Sequence, residues 1–98
     1  MKTPKGKEVF VFDNEGRSYD RFTIVTRSDG AIYGASCDPF SPLGFGQFCG
    51  QVSDPSYNTT VAQYIKDAQD EVSWLGKEIT VFSELPEDVQ KYVEQVSE

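Results

Sequence analysis

Histidine is absent from all 98 residues of this chain. The chain therefore cannot build the usual serine–histidine or cysteine–histidine nucleophiles, nor a metal site that uses imidazole. It has two cysteines and no apolar run of about 18 residues that could cross a membrane. The charged segment Met1–Lys7 is not followed by an apolar stretch, so we expect no secretory signal and a cytoplasmic protein with reduced thiols.

Acidic residues outnumber basic ones, and the whole excess lies in the second half of the chain. The net charge is −7; residues 1–50 hold six basic and six acidic groups, whereas residues 51–98 hold three basic and ten acidic groups. Such a surface repels nucleic acid and anionic membranes and attracts basic partners. Solubility alone is the alternative explanation.

Four runs of strand-forming residues predict a small antiparallel sheet. They are Glu8–Asp13, Tyr19–Arg27, Ala31–Ser36 and, later in the chain, Lys77–Phe82. Both faces of the first run are apolar, which predicts burial on both sides. Asp29-Gly30 is the dipeptide typical of a two-residue hairpin turn, and Gly34 within the third run indicates a bulge or a close backbone approach. Asn14-Glu15-Gly16 has the composition of a turn.

Two helices are predicted in the second half. Thr60 and Gln63 form a capping box, and one apolar stripe follows at Val61, Tyr64, Ile65, Ala68, Val72 and Leu75. Gly76 then stands where a helix commonly ends. Pro86 suits the first turn of a second helix, whose stripe comprises Leu85, Val89, Tyr92, Val93 and Val96.

These elements predict a single α+β domain over residues 1–98. We expect a small antiparallel sheet, built from a three-strand meander plus a fourth strand, with two amphipathic helices in the C-terminal half. Residues 53–58 are expected to be a connecting loop.

The segment Cys37–Gly50 concentrates unusual residues. It holds two prolines, three glycines, three phenylalanines and both cysteines. Proline and glycine disfavour a helix or a central strand, so we expect a structured loop. Its rings (Phe40, Phe45 and Phe48) are either core residues or anchors at an interface. Its glycines do not match the spacing of a phosphate-binding loop.

Cys37 and Cys49 lie at the two ends of this segment. Two buried thiols are the expected state, with a disulfide that closes the loop as the alternative. A redox pair or half of a metal site would need a nearby cation or further ligands. The segment 37–50 contains no lysine or arginine, and only Asp38 is near as a ligand. We therefore expect no metal and no cofactor.

Three carboxylates are the main candidates for partner binding. Asp67, Asp70 and Glu71 share one face of the first predicted helix because they are three and four positions apart. Such a face is either simply solvated or the contact surface for a basic partner.

The chain also resembles a small, uncharacterised domain family associated with phage and plasmid genomes. The residues that carry the resemblance are Tyr19-Asp20-Arg21-Phe22-Thr23, Tyr33-Gly34-Ala35-Ser36, Pro39-Phe40, Gly44-Phe45-Gly46-Gln47-Phe48-Cys49-Gly50, Leu75-Gly76-Lys77 and Leu85-Pro86-Glu87-Asp88-Val89-Gln90-Lys91-Tyr92. The resemblance covers most of the chain in short pieces and transfers no catalytic residue. It implies a mobile-element setting, in which small acidic proteins often inhibit host machinery, as anti-CRISPR proteins do.

We therefore expect a non-enzymatic, acidic binding protein, with no catalytic residue. Its partner would be a basic host protein, such as one that binds nucleic acid, and it would contact neither nucleic acid nor membrane directly. Asp67, Asp70 and Glu71 would supply the charges, and Phe45 the apolar anchor.

Two other functions remain open at this stage. One is a small ligand-binding domain or enzyme centred on the loop, whose polar groups would be Asp20, Arg21, Tyr33, Asp38 and Cys49. The other is a structural module of a larger assembly. The sequence does not decide the oligomeric state.

Overall fold

A computed structural model of the chain describes residues 1–15, 21–28, 31–52, 60–67, 69 and 75–97, with the backbone alone at residues 28, 31, 48–52, 64 and 67. The elements in chain order are β1 (Phe10–Asp13), β2 (Phe22–Ser28), β3 (Ala31–Asp38), β4 (Gly46–Val52), α1 (Val61–Asp67), β5 (Lys77–Ile79) and α2 (Glu87–Val96), with a 3₁₀ turn at Phe82–Glu84 before α2.

The five strands form one antiparallel sheet in the order β4-β3-β2-β1-β5. The meander β1-β2-β3 lies at its centre, as the sequence predicts. Ser28 pairs with Ala31, which leaves two residues for the predicted hairpin turn. Those two residues, Asp29 and Gly30, lie outside the described part of the chain.

Apolar residues cover both faces of this sheet. One core cluster joins alternate residues of β1, β2 and β3 to α2; its buried members are Val9, Val11, Phe22, Ile24, Ala35, Cys37, Leu85, Val89, Tyr92 and Val93. The second, on the α1 side, comprises Phe12, Val25, Ile32 and Leu75, with Phe10, Val61 and Ile65 packed against it. Burial of β1 on both faces is thus confirmed, because its odd and even residues enter different clusters.

The C-terminal helix forms as the sequence predicts. Val89, Tyr92 and Val93 are buried along one stripe of α2, and each buried valine stabilises the fold by roughly 1.5–3 kcal/mol. The acidic first turn, Glu87 and Asp88, complements the positive end of the helix dipole.

The first helix is described only over Val61–Asp67. Its predicted cap is confirmed, since the Gln63 N–H donates to Thr60 Oγ1 at 3.0 Å. Ala68 and Val72, the next members of the predicted stripe, lie outside the described residues. The α+β class is therefore confirmed, whereas a second full amphipathic helix stays a prediction.

The expected loop at Cys37–Gly50 was too long. β3 continues to Asp38 and β4 begins at Gly46, so only residues 39–45 connect the two strands. β4 is an additional strand, which makes five rather than four. It lies at the edge of the sheet, where glycine is tolerated because one side of the strand makes no ladder within this sheet.

The predicted irregularity at Gly34 is confirmed. Gly34 pairs with Gln51 and Ala35 with Cys49, which leaves Gly50 as the extra residue of a bulge.

The predicted fourth strand was also too long, because Lys77–Ile79 pairs with β1 and Phe82–Glu84 forms the 3₁₀ turn. Residues 53–58, the expected connecting loop, lie outside the described part of the chain.

Gly76 was expected to end the first helix, but the structure shows that close backbone packing requires it. A Cβ atom there would overlap the carbonyl oxygen of Asp13 and lie 2.8 Å from the Cα of Asn14. Its φ angle is outside the left-handed region. The glycine therefore permits close contact between the chain leading into β5 and the end of β1.

Candidate functional site

The β3–β4 turn, residues 39–45, is held by its own hydrogen bonds. The Phe40 N–H donates to Asp38 Oδ1 at 2.9 Å, and the Leu43 N–H donates to Ser41 Oγ at 3.3 Å. The Gly44 N–H donates to the Ser41 carbonyl at 3.2 Å, and Gly44 has a φ of 108°. Because a side chain is strained at that φ, glycine suits this position.

This turn presents apolar side chains to solvent. Leu43 is 97% exposed, Phe40 is 61% exposed and Phe45 is 36% exposed. We call these three residues the apolar tip. Residues 39–45 include no charged side chain. Clustered exposed apolar groups of this kind mark interaction sites more often than isolated ones do.

Phe45 joins the turn to α2. Its ring meets the ring of buried Tyr92 edge to face, with centroids 5.8 Å apart and planes at 65°. Such pairs contribute about 0.5–1.5 kcal/mol beyond the area they bury. Phe45, the anchor proposed from the sequence, is thus partly engaged within the protein, and Leu43 and Phe40 extend further into solvent.

Arg21 supports the other side of the turn. Its guanidinium carbon lies 5.1 Å from the centre of the Phe40 ring and 5.6 Å from that of Phe22. The same group donates to both carboxylate oxygens of Asp13, at 2.6 and 3.1 Å, and lies 3.7 Å from Glu15 Oε2. A planar guanidinium can make both kinds of contact at once, which a lysine cannot.

The charges around Arg21 stabilise its protonated form. The hydrogen bond to Asp13 raises the pKa of Arg21 most, and the negative charges of Asp13, Glu15 and Asp38 raise it further. Arg21 thus forms ion pairs with Asp13 and Glu15 and interacts through charge with Asp38. Since its charge is already compensated, Arg21 is better suited to hold the Phe40 ring than to capture an anionic substrate.

Asn14 anchors the strands that carry this arrangement, although the composition of residues 14–16 predicts only a turn. It is fully buried; its Nδ2 donates to Thr23 Oγ1 at 2.6 Å and its Oδ1 accepts from the Gly76 N–H at 2.9 Å. Its backbone N–H donates to the Arg21 carbonyl at 2.7 Å. Asn14 therefore fixes the backbone beside both Asp13 and Arg21. Local sequence gives no signal for these contacts, because they depend on strand pairing.

The three carboxylates proposed for partner binding are not placed by the structure. The backbone of Asp67 ends α1, but its side chain lies outside the described part, as do Asp70 and Glu71. Their shared face on a longer helix stays a prediction.

The alternative polar site is brought together only in part. Arg21 and Asp38 lie close enough for their charges to interact. Tyr33 packs against the core on the α2 side of the sheet, whereas Asp38 falls on the opposite face by strand alternation. Asp20 and the side chain of Cys49 lie outside the described part.

Cys37 is buried in the core on the α2 side of the sheet. The side chain of Cys49 lies outside the described part, so the expectation of two reduced thiols stays a prediction.

A cleft of about 510 Å³ lies beside the end of β1. Its lining residues are Asp13, Glu15, Gln69, Leu75, Gly76 and Lys77. Within the described ranges, no three histidine, cysteine, aspartate or glutamate side chains are grouped to hold a metal ion. No helix among the same residues is long and apolar enough to span a bilayer.

No family model matches the sequence, and neither a curated protein nor a solved structure shows significant similarity to it.

Proposed function

We propose that this protein is a non-enzymatic, acidic binding protein that docks stoichiometrically on a basic surface of another protein. The observation that carries the proposal is the apolar tip, three exposed apolar side chains on one hydrogen-bonded turn of a molecule of net charge −7. A turn that presents exposed apolar side chains is suited to insertion into a partner.

Charge is the second support for the proposal. All the excess negative charge belongs to residues 51–98, and the described acidic residues of that half are largely exposed, including Glu78, Glu84, Glu87 and Asp88. Negative potential of this kind accelerates encounter with a basic partner and makes association sensitive to salt.

The proposal includes the continuation of α1 through Glu71. On such a helix Asp67, Asp70 and Glu71 would form one acidic face, because positions three and four apart are neighbours. That face would meet the basic surface of the partner, such as a surface that normally holds nucleic acid. The apolar tip would supply the desolvated contact that charge alone lacks.

The biological setting follows from the resemblance to the phage and plasmid domain family. In that setting the partner would be a host protein in the host cytoplasm, and the protein would inhibit it by occupying its nucleic-acid-binding surface, as an anti-CRISPR protein does. This step is an analogy of setting, and it determines which lysate the experiment below uses.

The test is an affinity capture from host lysate at low and high salt, with mass spectrometry of the retained proteins. We expect a basic, nucleic-acid-handling protein that high salt releases. The variant D67N/D70N/E71Q should retain less of that protein. The matched control E78Q/E84Q/D88N removes the same number of charges from exposed positions elsewhere. Equal losses from both variants would contradict the assignment to Asp67, Asp70 and Glu71, and salt-resistant binding would contradict the electrostatic proposal.

A further inference from the structure

We infer that the partner's receiving site is an apolar pocket bordered by cationic groups, and that Leu43 and Phe40, rather than Phe45, enter it. This inference depends on the proposed function, since it specifies the docking partner. It replaces the anchor chosen from sequence and describes the surface that would receive it.

Exposure separates the three members of the apolar tip. Leu43 and Phe40 keep most of their surface in water, whereas Phe45 contacts Tyr92 and is the least exposed of the three. A side chain contributes to binding mainly through the apolar surface it removes from water on docking. Leu43 and Phe40 have the most such surface to remove. Phe45 instead fixes the turn against α2.

The apolar tip is held in place before any partner binds. Three hydrogen bonds within residues 38–44 fix the backbone of the turn, and Arg21 contacts one face of the Phe40 ring. Ordering a flexible loop on binding would cost affinity, and a preformed loop avoids that cost. Arg21 thus holds the exposed Phe40 ring in one position, and a ring held in this way is suited to insertion into a pocket.

The charges at the base of the turn define the border of that pocket. Among the described residues, Asp13 and Glu15 form ion pairs with Arg21, and Asp38 interacts with it through charge, so the described charges at the base of the turn are negative in sum. Complementary cationic groups on the partner would strengthen docking and orient it. An anionic membrane, a nucleic acid or a second copy of this chain, itself at −7, would be repelled. The occupant that fits is therefore a protein pocket with apolar walls and an arginine or lysine border.

The experiment places a photo-reactive leucine analogue at position 43 of the full chain. The probe is mixed with host lysate at low salt and irradiated, and cross-linked peptides are identified by mass spectrometry. The control carries the analogue at Val81, which is 45% exposed and lies outside the turn. We expect an adduct specific to position 43 whose partner peptide is apolar and flanked by lysine or arginine. Absence of an adduct above the control level, or an adduct on an acidic segment, would overturn the inference.

The partner identified by the cross-link is then purified by itself, and its affinity for each variant of this protein is measured. L43D should weaken binding at least about 30-fold and F40A about tenfold, because each removes a central apolar contact. The control V81D adds the same negative charge as L43D but lies outside the turn, so it should change the affinity less than about threefold. Leu43 and Val81 are exposed, so these variants are expected to fold, which thermal melting will check.

The two proposals fail in different ways. Wild-type affinity in L43D and F40A, together with a loss in D67N/D70N/E71Q, would leave acidic docking intact and overturn the pocket inference. Loss in L43D with salt-independent binding would overturn acidic docking and the cationic border together, and leave only an apolar contact.

Discussion

The guanidinium of Arg21 lies 5.1 Å from the centre of the Phe40 ring while it donates two hydrogen bonds to Asp13. This relationship links the end of β1 to the β3–β4 turn. The carboxylate orients the guanidinium, and the guanidinium in turn supports an aromatic ring that would otherwise be free to rotate in water.

We expect R21K to weaken this link although it preserves the charge. Lysine cannot donate a planar fork to Asp13 and stack on Phe40 at once. The free energy of unfolding should fall by about 1 kcal/mol, and NMR relaxation of the Phe40 ring should show faster motion. The matched control is R27K at an exposed arginine of β2, which should leave the ring unchanged. Equal ring dynamics in R21K and the wild-type protein would contradict the link.

Gly76 and Gly44 should respond differently to alanine. In G76A the new methyl group would meet the backbone of Asp13 and Asn14, which cannot move without disturbing the β1–β5 pairing. We expect the free energy of unfolding to fall by about 3 kcal/mol or more, which is at the upper end for substitutions that overpack a structure. In G44A the methyl group meets no atom within 4 Å. The free energy of unfolding should therefore fall by only about 1 kcal/mol, because the positive φ angle strains the alanine backbone. Chemical denaturation measures both, and equal losses would refute the close-packing explanation.

Phe45 and Tyr92 should be energetically coupled in a double-mutant cycle. The edge-to-face geometry predicts an interaction free energy of about 0.5–1.5 kcal/mol between F45L and Y92L. F40L should lower stability less than F45L, because more of the Phe40 ring is in water. Denaturant unfolding of the single and double variants provides the measurement. Strict additivity would show that Phe45 does not fix the turn to α2.

The parts of the fold that follow from local sequence were predicted correctly. Alternation along β1 predicted burial on both faces, and the spacing of Val89, Tyr92 and Val93 predicted α2. Each of these signals repeats within a few residues, so the period alone identifies the buried face.

The parts that depend on long-range pairing were missed. The glycines of β4 predict a loop because glycine is rare in strands, yet an edge position tolerates it. The residues around Asn14 predict a turn, although the Asn14 side chain accepts a hydrogen bond from the Gly76 N–H, 62 positions away. Contacts of this separation are set by the sheet topology and leave no local pattern.

The same reason limits prediction of the candidate site. The sequence indicated that the aromatic segment is important and left its rings undecided between core and interface. Only the paired strands bring Arg21 against Phe40 and Tyr92 against Phe45. The structure thereby identifies Leu43 as the most exposed apolar residue of the turn, which composition alone could not do.

The Arg21–Phe40 contact should not depend on pH from neutrality to about pH 10. Because the hydrogen bond and the negative charge of Asp13 raise the pKa of Arg21 above its ordinary value, the stabilisation is complete below that ordinary value. It is lost only as pH rises through the higher folded value. In R21K, by contrast, the ordinary lysine pKa is about 10.4 and the same carboxylates would raise it, so the ammonium should begin to lose its charge in the upper part of the range measured. The measurement is the NMR chemical shift of the Phe40 ring between about pH 7 and 11. It should remain constant in the wild-type protein and titrate in R21K. A wild-type titration in this range would show that the ring senses another group.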